Sequence, residues 1–154
     1  MKNKVTPTLV SEIKLTYKSR VKAQDRPQII SSLDAYTIFR NYWDEDTIEL
    51  FEEFHILLVD RANRVMGYYP ASKGSMVGTL VDVRMIFAAA IKARAVGIIL
   101  AHNHPSNHLK PSQADLEITN KVREAGKIMD IHILDHIILA PEGGYYSFAD
   151  EGLM

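Results

Sequence analysis

The 154-residue chain contains no cysteine. That absence excludes a disulfide scaffold, a thiolate metal site and a cysteine nucleophile. It also lacks an excess of charge of either sign: 18 Lys and Arg against 19 Asp and Glu leave a net charge of -1. No global attraction to a phosphate backbone follows from such a balance. Long apolar runs are missing as well. No window approaches the length of a membrane span, and the first residues, MKNKVTPTLVSEIKLTYK, carry no apolar core of signal-peptide length. The expectation is a cytoplasmic protein without membrane contact.

What is present reads as one globular domain. A hydrophobic content of 47% and a charged content of 24% are ordinary for such a chain, and its length suits a single core. No repeat, low-complexity tract or linker interrupts it. Residues 1–30 read as an N-terminal extension or edge strand, from the alternation Ile13-Lys14-Leu15-Thr16-Tyr17, and residues 31–154 as the domain proper. Ser31 to Asp34 opens a packing helix that ends near 43–46. Glu52 to Asp60 reads as a core strand, with a turn at 61–64 leading into a second strand at 65–69. Ser72 to Leu80 is glycine-rich but lacks the spacing of a phosphate-binding loop, so it reads as a loop or short strand. Asp82 caps a helix that closes at Gly97. Ser112 to Gly126 reads as a further helix with Leu116, Ile118, Thr119 and Val122 inward, followed by strands at 131–139 and 145–148. This order implies an α/β fold, a mixed sheet flanked by helices.

Chemistry concentrates at 101–115. The apolar run Gly97-Ile98-Ile99-Leu100 is a buried-strand pattern. Continued through its end, it projects His102 and His104 to the same side. Pro105 holds His104 extended. Ser112 stands in an N-cap position with Asp115 three residues later, and helical side chains lean toward the N-terminus, so the Asp115 carboxylate leans toward the histidines. Two imidazoles and one carboxylate, with a fourth position for water, form the ligand set of a catalytic zinc site. Amide hydrolysis also needs a base that is not a ligand. Glu52 and Glu53, entering an apolar strand, are the candidates, and only one of them can face the metal. Ser112 is placed to donate to a developing oxyanion.

The spacing His102-Asn103-His104, seven residues, Ser112, two residues, Asp115 resembles the JAMM/MPN metalloprotease signature. The segments AHNHPS, KPSQAD, ILDHIIL and YYSFADEGL look like those of bacterial RadC proteins, over about residues 50–154. The resemblance implies zinc held by His102, His104 and Asp115, Ser112 assisting the tetrahedral intermediate, and a cytidine deaminase-like α/β/α sandwich. It also places the base eight residues before the strand end at Asp60, which selects Glu52 over Glu53. Full-length RadC proteins carry a helix-hairpin-helix-like region that residues 1–50 do not resemble.

The expected function is a zinc-dependent peptidase or isopeptidase acting on a protein or peptide. The alternative is a DNA-associated accessory module with a structural or vestigial metal site, a nucleic-acid partner for which the charge balance gives little support. A non-haem iron oxygenase shares the ligand set, but such sites commonly sit in all-β barrels. Asp135 and His136 are candidates for orienting a ligand from behind, against the plainer reading of a buried polar pair. Ser-x-x-Asp is in addition a capping box. Asn103 and Ser106 read as loop-shaping, and His55, His108 and His132 as structural or surface residues.

Overall fold

Residues 9–74 and 80–154 are described by the structure, a computed structural model. The expected loop at 72–80 falls largely on residues outside that description. Among the described residues, three α-helices and five strands follow a 3-10 turn at Ala23–Asp25, in the order α1 (Ser32–Tyr42), β1 (Glu53–Val59), β2 (Val65–Lys73), α2 (Val83–Ala93), β3 (Gly97–Asn103), α3 (Gln113–Met129), β4 (His132–Leu139) and β5 (Tyr145–Ser147). The strands form one sheet in the order β2-β1-β3-β4-β5. Only β3 and β4, joined through α3, run parallel; the other neighbours are antiparallel. The mixed sheet expected from the element order is therefore present.

Alternation along the strands builds two cores. Phe54, Ile56 and Leu58 of β1 and Ile98 and Leu100 of β3 pack with Ile86, Phe87 and Ala90 of α2 and Val122 of α3. On the other face Leu57, Ile99, Ala101, Ile137 and Leu139 meet Ala35 and Phe39 of α1 together with Trp43 and Ile48. The result is an α/β/α sandwich. Each fully buried Ile or Leu stabilises it by about 1.5–3 kcal/mol, and this burial holds the central strands β1 and β3 as a rigid base. Among the described residues no helix is long and apolar enough to cross a membrane.

Capping fixes where the helices begin. Ser31 and Asp34 make a reciprocal capping box on α1, and Ser112 and Asp115 do the same on α3. Asp82 caps α2 by accepting from Arg84 N.

Four expectations change. The helix expected to close at Gly97 stops at Ala93, where Arg94 takes the left-handed conformation at φ 58°, and Gly97 instead opens β3. The strand at 13–17 does not form: these residues have no ladder partner, and Ile13 and Leu15 stay exposed. Alternation supplies a strand face but no partner to bury it. The extension instead meets the domain at 27–29, through Val65 N to Pro27 O and Ile29 N to Asn63 O. The helix expected to end at Gly126 continues to Met129 and stops at Asp130, which takes the left-handed conformation at φ 53°. Gly126 serves close packing, since a Cβ there would lie 2.5 Å from the Ile131 carbonyl oxygen. The second strand runs past Tyr69 to Lys73, because its ladder with β1 continues to Glu53.

Candidate metal centre

β3 delivers His102 and then Asn103 to its buried end. His102 falls on the α2/α3 face of the sheet, and the chain leaves the strand at His104, whose N–H donates to Leu139 O at 2.8 Å. The capping box at the start of α3 aims Asp115 at the same point: Ser112 N donates to Asp115 Oδ2 at 2.7 Å. His102, His104 and Asp115 consequently offer three ligand atoms within 4.8 Å of one another. His102 Nε2 stands 2.9 Å from His104 Nε2 and 3.2 Å from Asp115 Oδ1, and His104 Nε2 stands 3.3 Å from Asp115 Oδ2.

The bonding pattern assigns the protons in this cluster. Thr119 Oγ1 donates to the Asp115 carbonyl at 2.6 Å, so toward His136 Nδ1, also at 2.6 Å, it accepts. His136 is fully buried, and burial, with the neighbouring His102 adding to it, pushes its pKa well below the ordinary value and keeps it neutral. With the proton on Nδ1, its Nε2 accepts from His102 Nδ1 at 2.7 Å. His104 Nδ1 likewise donates to the His108 carbonyl. Both Nε2 atoms therefore present lone pairs.

Two lone pairs and a carboxylate at these separations repel one another unless a cation lies between them. Ligand bonds of about 2.0–2.1 Å in tetrahedral array put ligand atoms about 3.3–3.4 Å apart, close to the spacing found. The residues fit a metal ion. Without one the cluster draws in a proton. Burial opposes this at His104, but bonds to Asp115 and the His108 carbonyl, with the charges of Asp115 and Glu52, raise its pKa. At Asp115 burial is likewise outweighed, and the two histidines hold the carboxyl far below its ordinary range.

The centre lies in an open cavity of about 960 Å³ lined by Glu52, Phe54, Leu80, Val81, His104, Lys110, Ser112 and Ile118 among others. Glu52 and Glu53 separate clearly. Antiparallel pairing sets Phe54 opposite His102; continued two residues, it sets Glu52 opposite His104. Glu53 is buried on the other face, where its carboxylate meets His55 Nε2 at 2.9 Å, Thr47 Oγ1 at 3.0 Å and Lys73 Nζ at 3.2 Å. Ser112 Oγ accepts from Asp115 N at 3.1 Å and retains its own proton for donation.

His136 reaches the ligand His102. Asp135 does not: it faces away and accepts from Ser147 Oγ at 2.6 Å and Ala149 N at 2.9 Å, tying down the turn after β5. Adjacent residues on a strand point to opposite faces, so only one of the pair could face the ligand. Asn103 also departs from expectation. It is the last residue of β3, wholly buried, and not a loop residue. Thr119 went unnoticed as a site residue, although a hydroxyl at an inward helix position one turn after Asp115 is a signal for a buried partner.

A five-stranded mixed sheet between helices, with two histidines at the end of a central strand and an aspartate in the next helix, defines the class: an α/β/α domain with an open His-His-Asp cluster that could hold a metal ion. The chain belongs to the RadC-like JAB domain family, whose sequence profile matches residues 29–153. It is similar to proteins named UPF0758 protein: 47% identical over 126 residues to one from Flavobacterium johnsoniae (82% of this chain, 53% of the relative), 35% over 135 residues to one from Porphyromonas gingivalis (88% and 60%), and 40% over 129 residues to one from Pelobacter propionicus (81% and 56%). The chain thus spans little more than half the length of these relatives.

Proposed function

We propose that the domain is a zinc-dependent amide hydrolase of the peptidase or isopeptidase type. The observation that carries this reading is the convergence of His102 Nε2, His104 Nε2 and the Asp115 carboxylate, 2.9–3.3 Å apart, in a cavity that Glu52 and Ser112 also line. His102, His104 and Asp115 would hold the ion. When bound, zinc acidifies a water molecule and polarises a carbonyl.

The chain's own residues supply the rest. Glu52 takes a proton from the attacking water and passes it to the leaving nitrogen, which requires that it not be a ligand. Ser112 donates to the carbonyl oxygen as negative charge gathers there. His136 holds His102 in its Nδ1–H form, and His108 does the same for His104 through its carbonyl. Phe54 and Val81 form apolar wall beside the centre, which excludes water from one side of the reacting group. The open shape suits a peptide laid across the cavity.

The test begins with metal analysis of protein purified without added zinc. Near-stoichiometric zinc that disappears in His104→Ala is expected. Glu52→Gln should retain the zinc and lose cleavage of a mixed peptide library. A metal-free parent, or equal cleavage by Glu52→Gln, would defeat the proposal. An accessory role on nucleic acid has less support, since a net charge of -1 offers little for phosphate.

A further inference from the structure

We propose that Asn103, which lies between the two histidines in sequence but on the opposite face of β3, is the positioning residue that holds Glu52 over the metal centre. This rests on the reading of Glu52 as proton acceptor.

The geometry is specific. Asn103 Oδ1 accepts from Glu53 N at 2.7 Å. Its Nδ2 donates to Phe51 O at 2.8 Å and to Ile48 O at 2.8 Å. The Phe51 carbonyl belongs to the peptide unit before Glu52, and the Glu53 N–H belongs to the unit after it. One side chain therefore grips both peptide planes that flank the Glu52 Cα. Because peptide units are planar, fixing both of them fixes φ and ψ at Glu52 and so the direction in which its side chain leaves the backbone. Gly74 N adds a bond to the Glu52 carbonyl at 2.8 Å, from the far side of the same unit.

The chemistry of residue 103 is equally constrained. The site needs one acceptor and two donors on one short side chain, which asparagine supplies. Aspartate has no donor and serine only one. Asn103 is wholly buried, so water does not replace a missing bond, and a buried group left unpaired destabilises the fold. The bonds also cross from the strand that bears the ligands to the segment that bears Glu52. A shift of β3 that moves His102 and His104 therefore carries Glu52 with it, and the base and the metal keep their separation.

Residue-resolved hydrogen exchange on the unaltered protein is the first arm of the test. The Glu53 amide is expected to exchange as slowly as Ile56 in the middle of β1; exchange at the rate of an exposed loop overturns the proposal, and this holds whether or not any variant folds. The second arm uses the cobalt(II)-loaded protein, whose visible spectrum reports ionisation at the open metal position and responds to a carboxylate facing it. Asn103→Leu should keep cobalt, lose Glu53 amide protection, and shift the pH midpoint of the spectrum in the direction that Glu52→Gln shifts it. If Glu52→Gln shifts the midpoint and Asn103→Leu does not, the positioning role fails and the reading of Glu52 stands. If Glu52→Gln leaves the midpoint unmoved, the reading of Glu52 itself fails. Loss of cobalt in Asn103→Leu would show that residue 103 acts on the ligands and not on Glu52, and would also overturn the proposal.

Discussion

His136 Nε2 lies 2.7 Å from His102 Nδ1, and His136 is in turn set by Thr119, so a hydroxyl on α3 decides which ring nitrogen of a strand histidine is left free toward the cavity. Outer partners of this kind typically contribute 10-fold to 100-fold in metal affinity, as a rough range. Thr119→Val, which keeps the shape and removes the hydroxyl, is expected to weaken zinc binding by about that range and to cost about 1–3 kcal/mol from the unpaired His136 N–H. Competition with a chromophoric chelator and urea unfolding measure the two effects.

Asp135 provides the contrast. Its carboxylate accepts from Ser147 Oγ, Ala149 N and the backbone N–H of His136, and it meets none of the ring nitrogens of the cluster. Asp135→Asn should therefore leave zinc affinity at the parent value in the same competition assay. A loss comparable with that of Thr119→Val would mean that the two faces of β4 are coupled.

Gly126 sets two effects against each other. Alanine in a helix interior is favoured over glycine by about 0.8–1.0 kcal/mol, yet a Cβ here meets a backbone oxygen at 2.5 Å, which cannot swing aside. Overpacking of this kind costs about 1–3 kcal/mol. Gly126→Ala is expected to be less stable than the parent by thermal melting, despite its better helix propensity.

Stability should depend on pH through His55. Burial, the largest influence, lowers its pKa from the ordinary 6.5; its bond to Glu53 pulls the other way, as does the charge of Glu53, while the Lys73 charge adds to the lowering. The unfolded chain then binds the proton more readily than the folded one. Stability is complete above pH 6.5 and falls as the pH drops through the lowered folded value. His136, whose pKa lies lower still below its ordinary value, adds to the same loss. His104, whose pKa is raised, works in the opposite sense, so the readout is the difference: between pH 7.5 and 5 the melting temperature of the metal-free parent should fall relative to that of His55→Gln.

Zinc should stabilise the fold by mass action, by about 2.7 kcal/mol at a free concentration 100 times the Kd. Melting with and without a chelator reads this directly. In Asp115→Ala the chelator should have no effect, and the baseline should fall as well, because the same carboxylate closes the capping box on α3.

Most of the site could be read from the chain because its signals are local. The strand run at 97–100, Pro105 and the Ser112/Asp115 box each act within a few residues, and together they foretell where His102, His104 and Asp115 meet. Periodicity along one strand left Glu52 and Glu53 open, and the choice of Glu52 rested on the family resemblance; the pairing of β1 with β3 gives it a physical reason. Thr119 and Asn103 escaped for a related reason. Their partners lie 17 and up to 55 residues away, and a polar residue on a buried face announces a partner without naming it. The failed strand at 13–17 shows the converse: alternation is necessary for a half-buried strand but is not a partner.

The three candidate ligands lie at the end of β3, just past it and at the start of α3, consecutive pieces of chain, whereas Glu52 arrives only through pairing across a far longer loop. Closing a short loop is entropically easier than closing a long one. The cluster of His102, His104 and Asp115 can therefore close before Glu52 is brought beside it. On the proposed reading, Glu52 joins the cluster only with the completed sheet, so the proton acceptor is assembled by the folded chain alone.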